Sequence, residues 1–176
     1  FSVCVDVNNQ DDMLKLLDDI DVLISAVPYH LNTKVTELAI ESATSMVDLG
    51  GHTGIVKAQL KRDNDARNKG IVIVPDCGMG PGMNITMALL AMEQLDDSDH
   101  VKIWDGGLPI NPVEPWKYAS FFNINGLTNE YDGNAFFIRD GRVTEVPCFE
   151  DIETLSFGDG IGDLEAAVTS GGLSTM

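Results

Sequence analysis

The sequence predicts an α/β protein, with a parallel sheet and its crossover helices in residues 1–97 and an α+β domain in residues 98–176. Over the first 95 residues, short apolar segments alternate with amphipathic segments of helical length, which is typical of βαβ units. A run of polar residues at 96–99 then ends this pattern. Beyond it, Asp140-Gly141 between two apolar segments indicates a hairpin, so the second domain is expected to hold an antiparallel or mixed sheet.

The helices and strands of the first domain are predicted from apolar runs and from the cap and turn residues that bound them. The strands are short and apolar throughout, so the sheet is expected to be buried on both faces. Residues 8–11 are expected to supply the turn and the N-cap of the first helix, and Val35, Leu38 and Ala39 to form the buried face of the second. Lys69-Gly70 is expected to end the third. The predicted strands span 2–7, 22–27, 45–49 and 71–74, and the predicted helices span 12–17, 32–43 and 54–68.

Residues 71–95 form a strand, an elbow and a helix around which the chain is organised. The elbow contains three glycines, Gly78, Gly80 and Gly82, whose backbone N–H groups are expected to approach a ligand closely. Pro81 is expected in the first helical turn, where its missing N–H costs nothing. Cys77 follows the strand directly, either in a ligand site or as a buried residue at the start of an ordinary helix.

The second domain is predicted to contain strand-like segments, a rigid proline loop and a flexible glycine-rich segment at 158–162. Gly106 and Gly107 form a turn after the first of these segments. Lys117 is a candidate for binding a carboxylate and Tyr118 a candidate proton donor, and ordinary loop packing is the alternative for both. The predicted strands span 101–104, 118–122, 135–139 and 142–146.

Composition excludes several classes of protein. The 176 residues carry 28 acidic against 11 basic side chains, for a net charge of −17, so nucleic acid and anionic membranes are not expected partners. No apolar run approaches the roughly 18 residues that span a bilayer. The three cysteines are far apart and no metal-ligand spacing is present, which indicates a reducing, cytoplasmic setting and no metal site.

The strand ends carry the candidate chemistry, because the carboxyl ends of parallel strands share one edge. Asp6 is expected either to bind an adenine amino group or to form a turn. Asp48 and His52 are four residues apart across a Gly-Gly turn and could face one cleft. His52 is either suited to proton transfer there or a bystander, and Asp48 is either a site residue or a cap of the following helix. Cys77 is either a nucleophile activated by a base or a small neutral group against a flat ligand.

Several segments resemble the saccharopine dehydrogenase-like family, which includes saccharopine reductase, lysine 6-dehydrogenase and carboxynorspermidine dehydrogenase. The most specific feature is the DCGxxPGxxN elbow followed by GGLP. The segments are DVLISAVPYHLNTKVTELAIE (21–41), MVDLGGH (46–52), VPDCGMGPGMNITM (74–87), GGLPINPVEPWKY (106–118), DGNAFFIRDGRVTEVP (132–147) and LEAAVTSGGLSTM (164–176).

The resemblance implies part of a Rossmann domain followed by a substrate and dimerisation domain, and oxidation at a carbon bearing an amine with NAD or NADP. Asp48, His52 and Tyr118 are the candidate acid/base groups. The expected cofactor-binding residues are Asp6, Val7, Val27, Pro28, Asp48, Leu49, Gly50 and Cys77. The expected substrate-binding residues are Tyr29, Cys77, Gly106, Gly107, Tyr118 and Asn125.

Two departures from the family pattern shape the expectation. The family's GxGxxG turn and the charged residue that ends its second strand are absent, so the chain is expected to begin at the third strand and to bind cofactor poorly alone. Asn125 stands where saccharopine reductase has an arginine, which shifts the expected substrate toward lysine or another amine. A homodimer is expected, and a hydrolase or transferase using Cys77 and a non-catalytic binding module remain alternatives.

Overall fold

The computed structural model describes residues 2–121, 123–158, 160–171 and 175. The chain divides into two compact units, Phe1–Asp96 with Leu173–Met176 and Asp97–Gly172. Among the described residues, no helix is long and apolar enough to cross a membrane.

The first unit is a three-stranded parallel sheet in the order β1-β2-β3 with connecting helices. The expected fold, a parallel α/β sheet followed by antiparallel pairs, is confirmed. Its strands are β1 (Val22–Ser25), β2 (Ser45–Asp48) and β3 (Ile73–Val74). Its helices are α1 (Gln10–Leu17), a 3₁₀ turn (Tyr29–Leu31), α2 (Asn32–Ser42), α3 (Thr53–Leu60), α4 (Asp63–Lys69) and α5 (Met83–Met92).

The core lies between α2 and one face of the sheet. The strand register places Leu23, Met46 and Ile73 side by side, and these residues pack with Val35 and Ala39 of α2. Met46 and Ala39 are fully buried. The predicted apolar face of this helix is therefore confirmed, and α2 anchors the three strands in one layer.

The opposite face of the sheet is open, so the expectation of burial on both faces was wrong for the described residues. The same register places Ile24, Val47 and Val74 in a row on this face. Ile24 is 70% exposed and Val72 is 63% exposed. The helices whose residues cluster with the sheet in the described core, α1, α2 and α4, pack on the other face.

Two predicted elements of this unit differ from the structure. Residues 2–7 form no strand, because no described segment pairs with them in a ladder, and Val5 and Val7 instead pack beside α1 and α2. The predicted helix 54–68 divides into α3 and α4 at Arg62, and this change of direction lets Ala66 pack against Ile40 and Ile71.

The segments predicted to cap the first helix and to end the third do so, although α1 begins at Gln10 and not at Asp12 as predicted. Asn9 caps α1, since its side chain accepts a hydrogen bond from the N–H of Asp12 at 3.3 Å. Gly70 ends α4 in the left-handed conformation with φ of 71°.

The second unit contains two antiparallel pairs and one short helix, α6 (Ile124–Glu130). The hairpin of β4 (Asn134–Arg139) and β5 (Arg142–Pro147) is confirmed, and Asp140 and Gly141 both take the positive φ that its two-residue turn requires. The second pair joins β6 (Glu153–Ser156) to β7 (Asp163–Ala166).

Sequence patterns were less informative here. Residues 101–104 and 118–121 form no strand, because no described segment supplies the partner that a ladder needs, and Phe122 lies outside the described residues. The glycine-rich segment 158–162 was predicted to be a flexible loop, and its described residues close the turn between β6 and β7, with the N–H of Phe157 donating to the carbonyl of Gly162 at 3.0 Å. Neither this strand pair nor α6 was predicted.

Candidate functional site

The carboxyl ends of β2 and β3 meet, as their order in the sheet predicts. The N–H of Cys77 donates to the carbonyl of Asp48 at 2.7 Å. Gly50 lies against Asp76 and Pro81 so closely that a Cβ added to it would stand 2.9 Å from Pro81 Cγ. The turn after β2 and the elbow after β3 therefore form one packed surface.

The end of β1 joins this surface through an aromatic contact. The rings of Tyr29 and His52 stack with centroids 5.2 Å apart and planes inclined by 24°. Gly51 lies beside the same tyrosine, at ordinary van der Waals distance. The prediction that chain positions near 28, 48 and 77 lie along one rim of the sheet is confirmed.

Asp48 lies beneath this rim and is fully buried. One carboxylate oxygen accepts a hydrogen bond from the N–H of Gly50 at 2.8 Å, and the other accepts one from Gln59 Nε2 at 2.6 Å. The same Nε2 donates to Thr36 Oγ1 at 3.0 Å. The buried carboxylate thus fixes the Gly50 turn, and this arrangement gives Asp48 a positioning role more readily than the acid/base role suggested from sequence.

Gln59 was not among the residues singled out from the sequence. It is buried on α3, and its Oε1 has no hydrogen-bond partner in the described part of the chain. A glutamine on the apolar face of a predicted helix, one turn from Val56, is the signal that identifies it.

His52 forms the N-cap of α3. Its Nδ1 accepts hydrogen bonds from the N–H groups of Gly54 and Ile55 at 3.1 and 3.3 Å. The predicted helix start at this point is confirmed, and the imidazole is both a structural cap and a half-buried member of the rim.

The glycines of the elbow serve close backbone packing. A Cβ on Gly78 would stand 2.6 Å from the carbonyl oxygen of Leu49, and a Cβ on Gly82 would overlap the backbone of Gly78. The N–H of Gly82 is bonded to Asn84 Oδ1 at 3.2 Å, so it does not point to a ligand as predicted. Pro81 lies before α5, not in its first turn, because its ring packs over Gly50.

Cys77 is exposed at the end of the rim, not buried. Its thiol donates to the carbonyl of Val74 at 3.5 Å and to that of Pro75 at 3.7 Å. Partial desolvation, and then the negative charges of Asp48 and Asp76, raise the pKa of the Cys77 thiol. The thiol is therefore kept neutral, which disfavours the nucleophile alternative.

An open groove of about 510 Å³ runs beside this cysteine. Its walls are mainly apolar and come from α3, β3, the elbow and the start of α5. The lining includes Leu60, Ile73, Val74, Pro75, Cys77 and Ile85.

The remaining candidates of the first unit occupy different settings. Asp6 forms the turn that was its alternative role, since its carboxylate accepts a hydrogen bond from the N–H of Asn8 at 2.9 Å. Val7 and Val27 pack against the core beside α2. Pro28 and Leu49 are exposed at the ends of β1 and β2.

The candidates in the second unit are exposed. The ring of Tyr118 lies 6.3 Å from that of Phe121, edge to face, and Gly107 is next to the same phenylalanine. The N–H of Asn125 donates to the Asn123 cap of α6 at 2.8 Å. Lys117 is paired with Glu114 at 3.0 Å, as loop packing predicts. These contacts are all within the unit.

No group of three or more His, Cys, Asp or Glu side chains in the described ranges is arranged to hold a metal ion.

Two family models match the chain. Residues 2–74 match the saccharopine dehydrogenase NADP binding domain. Residues 78–175, more than half of the chain, match the saccharopine dehydrogenase C-terminal domain. The first of these models describes a domain that binds a nicotinamide dinucleotide, which supports NAD or NADP as the cofactor.

Individual relatives agree with these matches. Mitochondrial alpha-aminoadipic semialdehyde synthase of Rattus norvegicus is 28% identical over 82% of this chain and 16% of its own length. The NADP(+), L-glutamate-forming saccharopine dehydrogenase of Pyricularia oryzae is 25% identical over 82% of this chain and 33% of its own length. The chain therefore spans about a sixth to a third of the length of these relatives.

A solved structure shows the same fold. Apo saccharopine dehydrogenase (L-Glu forming) from Saccharomyces cerevisiae superposes with a TM-score of 0.66 at 20% identity, over 91% of this chain and 37% of that one. Taken with the two family models, these matches establish that the chain belongs to the saccharopine dehydrogenase family.

Proposed function

We propose that this protein oxidises a carbon–nitrogen bond of an amino acid or amine with a nicotinamide dinucleotide as the hydride acceptor. The observation that carries the proposal is the meeting of three strand ends along one rim, at residues 28, 48 and 77. The family models and the names of the relatives, which include saccharopine dehydrogenase, agree with it.

The rim has the chemical character that a nicotinamide ring requires. Pro28 and Leu49 offer exposed apolar surface at two strand ends, and Cys77 offers a neutral thiol at the third. Gly51 leaves room beside Tyr29, because even a Cβ there would make only an ordinary contact at 3.7 Å. We assign cofactor contacts to Pro28, Leu49, Gly50 and Cys77; bound there, the dinucleotide accepts a hydride.

The protein's own residues chiefly hold the rim in place. Gln59 fixes the buried carboxylate of Asp48, and Asp48 in turn fixes the Gly50 turn beneath the ligand. The raised pKa of Cys77 keeps its thiol neutral, so that the third strand end presents an uncharged group to the flat nicotinamide ring.

The proposed reaction breaks one C–H bond and one N–H bond of the substrate. The hydrogen on the carbon leaves as hydride and the nitrogen loses a proton. Water then hydrolyses the resulting C=N bond to a carbonyl compound and ammonia for a primary amine, or a carbonyl compound and an amine for a secondary one. Because Asp48 is buried and already accepts two hydrogen bonds, Tyr118 remains as a proton-transfer candidate in the second unit.

The substrate we favour is lysine or a similar amine. Asn125 carries no charge at the position where the family resemblance places an arginine, so it lacks the guanidinium that binds a second carboxylate in a bidentate manner.

The full-length protein that contains this chain, purified and supplied with NAD⁺ or NADP⁺ and a panel of L-lysine, L-saccharopine and simple diamines, tests the proposal. We expect growth of the reduced-nicotinamide absorbance band with at least one amine and none with the matching hydroxy compounds. Dinucleotide binding without oxidation of any amine would favour a non-catalytic module. Absence of both binding and oxidation would contradict the proposal.

A further inference from the structure

We propose that His52 is a fixed hydrogen-bond donor to the bound ligand, acting through Nε2–H, and not an acid/base group. The inference rests on the proposed function for the nature of the ligand. It rests on the structure for the state and orientation of the ring.

The hydrogen bonds at Nδ1 define which nitrogen of the ring carries hydrogen. Two backbone N–H groups, those of Gly54 and Ile55, donate to Nδ1 at 3.1 and 3.3 Å. A nitrogen that accepts two hydrogen bonds carries no hydrogen, so the neutral ring has its proton on Nε2. In this tautomer Nε2 can donate, and it has no lone pair with which to take a proton from an amine.

The direction of the Nε2–H bond is fixed by contacts on the rest of the ring. Tyr29 stacks on the imidazole with centroids 5.2 Å apart. Gly54 lies close against the helix side of the imidazole ring, because a Cβ added to Gly54 would stand 3.0 Å from Cε1 of His52. Among the described residues Nε2 makes no hydrogen bond, although the side chain is half-buried in the rim. The donor is thus oriented before any ligand arrives, which reduces the entropy lost on binding.

The matching ligand atom is an oxygen that accepts a hydrogen bond. The carboxamide oxygen of a nicotinamide and the carboxylate of an amino-acid substrate share this chemistry. Asp48 does not compete for the donor, because its two oxygens are already bonded to Gly50 and Gln59 below the rim.

Two substitutions separate the functions of the two ring nitrogens. His52→Asn keeps a side-chain acceptor at the position of Nδ1 and so keeps the cap, but it removes the distal N–H. His52→Gln carries an amide N–H near the position of Nε2 but loses the cap. Asn9→Ala, which removes the comparable cap of α1 outside the rim, is the control for loss of a cap alone.

The expected results are opposite for the two variants. His52→Asn keeps its Tm within about 1 °C and weakens ligand binding about tenfold. Asn9→Ala lowers Tm by about 2–4 °C and leaves binding within about threefold of the parent. His52→Gln lowers Tm by a similar amount and weakens binding less than His52→Asn does, because its N–H is present but is not held in place. Titration with reduced dinucleotide alone, followed by its fluorescence, identifies a carboxamide acceptor, whereas a change confined to the KM of the amino-acid substrate identifies a carboxylate.

The proposal fails if His52→Asn binds dinucleotide and substrate as the parent does, or if His52→Gln and Asn9→Ala weaken binding as much as His52→Asn. All variants are made in the full-length protein, and a full-length parent that binds neither dinucleotide refutes the proposed function itself. Long-range ¹H–¹⁵N spectra of the histidine rings give an independent readout: we expect the His52 ring, assigned by its loss in His52→Asn, to carry hydrogen on Nε2 only. A spectrum with hydrogen on Nδ1 would overturn the inference without reference to activity.

Discussion

The buried contact between Asp48 and Gln59 is the main polar interaction beneath the rim. Its hydrogen bond is 2.6 Å long, and both side chains are at most 3% exposed. Hydrogen bonds to a charged group in such a setting are stronger than neutral ones, and loss of one partner leaves a buried charge less well solvated. Gln59 therefore matters more to stability than its neutral side chain suggests.

Gln59→Met tests this interaction, because methionine has a similar volume but cannot donate. We expect the free energy of unfolding to fall by about 2–4 kcal/mol, measured by urea denaturation. Gln94→Met, at an exposed position after α5, is the control and should change stability by less than about 0.5 kcal/mol. Equal stability of the two variants would show that the contact contributes little.

The reactivity of the Cys77 thiol should be low at neutral pH. Desolvation and the charges of Asp48 and Asp76 raise its pKa, so its thiolate fraction at neutral pH is small and grows as pH rises. We expect iodoacetamide to modify Cys77 more slowly than the exposed Cys4 at pH 7, with a rate that increases steeply above pH 8. Peptide mass spectrometry measures both sites in one sample, and faster reaction of Cys77 at pH 7 would revive the nucleophile alternative.

At the scale of elements, the turn after β2 and the elbow after β3 depend on glycine for two different reasons. Gly50 needs a positive φ of 72°, and it also lies against Asp76 and Pro81. Gly70 has nearly the same φ, 71°, but nothing lies within 4 Å of the position a Cβ would take.

The substitutions Gly50→Ala and Gly70→Ala therefore share the backbone cost and differ in the contact. We expect Gly70→Ala to lose about 1 kcal/mol of stability and Gly50→Ala to lose about 3 kcal/mol or more, measured by thermal or urea unfolding. The difference reports how tightly the two loops are packed. Similar losses in the two variants would mean that the rim tolerates expansion at this point.

Sequence patterns predicted the elements whose signals are local. Asn9, Gly70 and the Asp140-Gly141 turn each form the predicted cap, stop or hairpin, because short-range hydrogen bonds and φ preferences determine them. Residues 2–7 and 101–104 have apolar strand composition but lack a partner among the described residues. A strand depends on such a distant partner, and no local pattern reveals it.

In the candidate site, too, some features follow from the sequence and others depend on distant partners. Parallel strand order brought residues 28, 48 and 77 together as predicted, because that follows from topology. The hydrogen-bond partners of Asp48 and His52 were not predictable, since Gln59 and the N–H groups of Gly54 and Ile55 reach them only in three dimensions. The sequence therefore predicts which chain positions meet, and the structure adds the side-chain partners.

The whole molecule consists of two compact units, and the predicted homodimer stays a prediction. Over the whole chain, 28 acidic side chains outnumber 11 basic ones. The ion pairs present, such as Arg67 with Asp63 and Lys15 with Asp12, have mostly exposed side chains. Exposed pairs contribute little to stability, so the net effect of surface charge is repulsion.

Salt should therefore stabilise this protein. Near Asp18, Asp19 and Asp21 the repulsion is local, since three exposed carboxylates follow the end of α1 and no lysine or arginine stands among them. Raising NaCl from about 20 mM to about 500 mM shortens the screening length severalfold, and we expect Tm to rise by several degrees. Asp19→Lys should raise Tm by about 1–2 °C at the low salt concentration and by much less at the high one, because the repulsion it relieves is already screened there. Calorimetry at both salt concentrations checks the pair of values, and a Tm that falls with added NaCl would mean that the exposed ion pairs stabilise the fold more than the excess of negative charge opposes it.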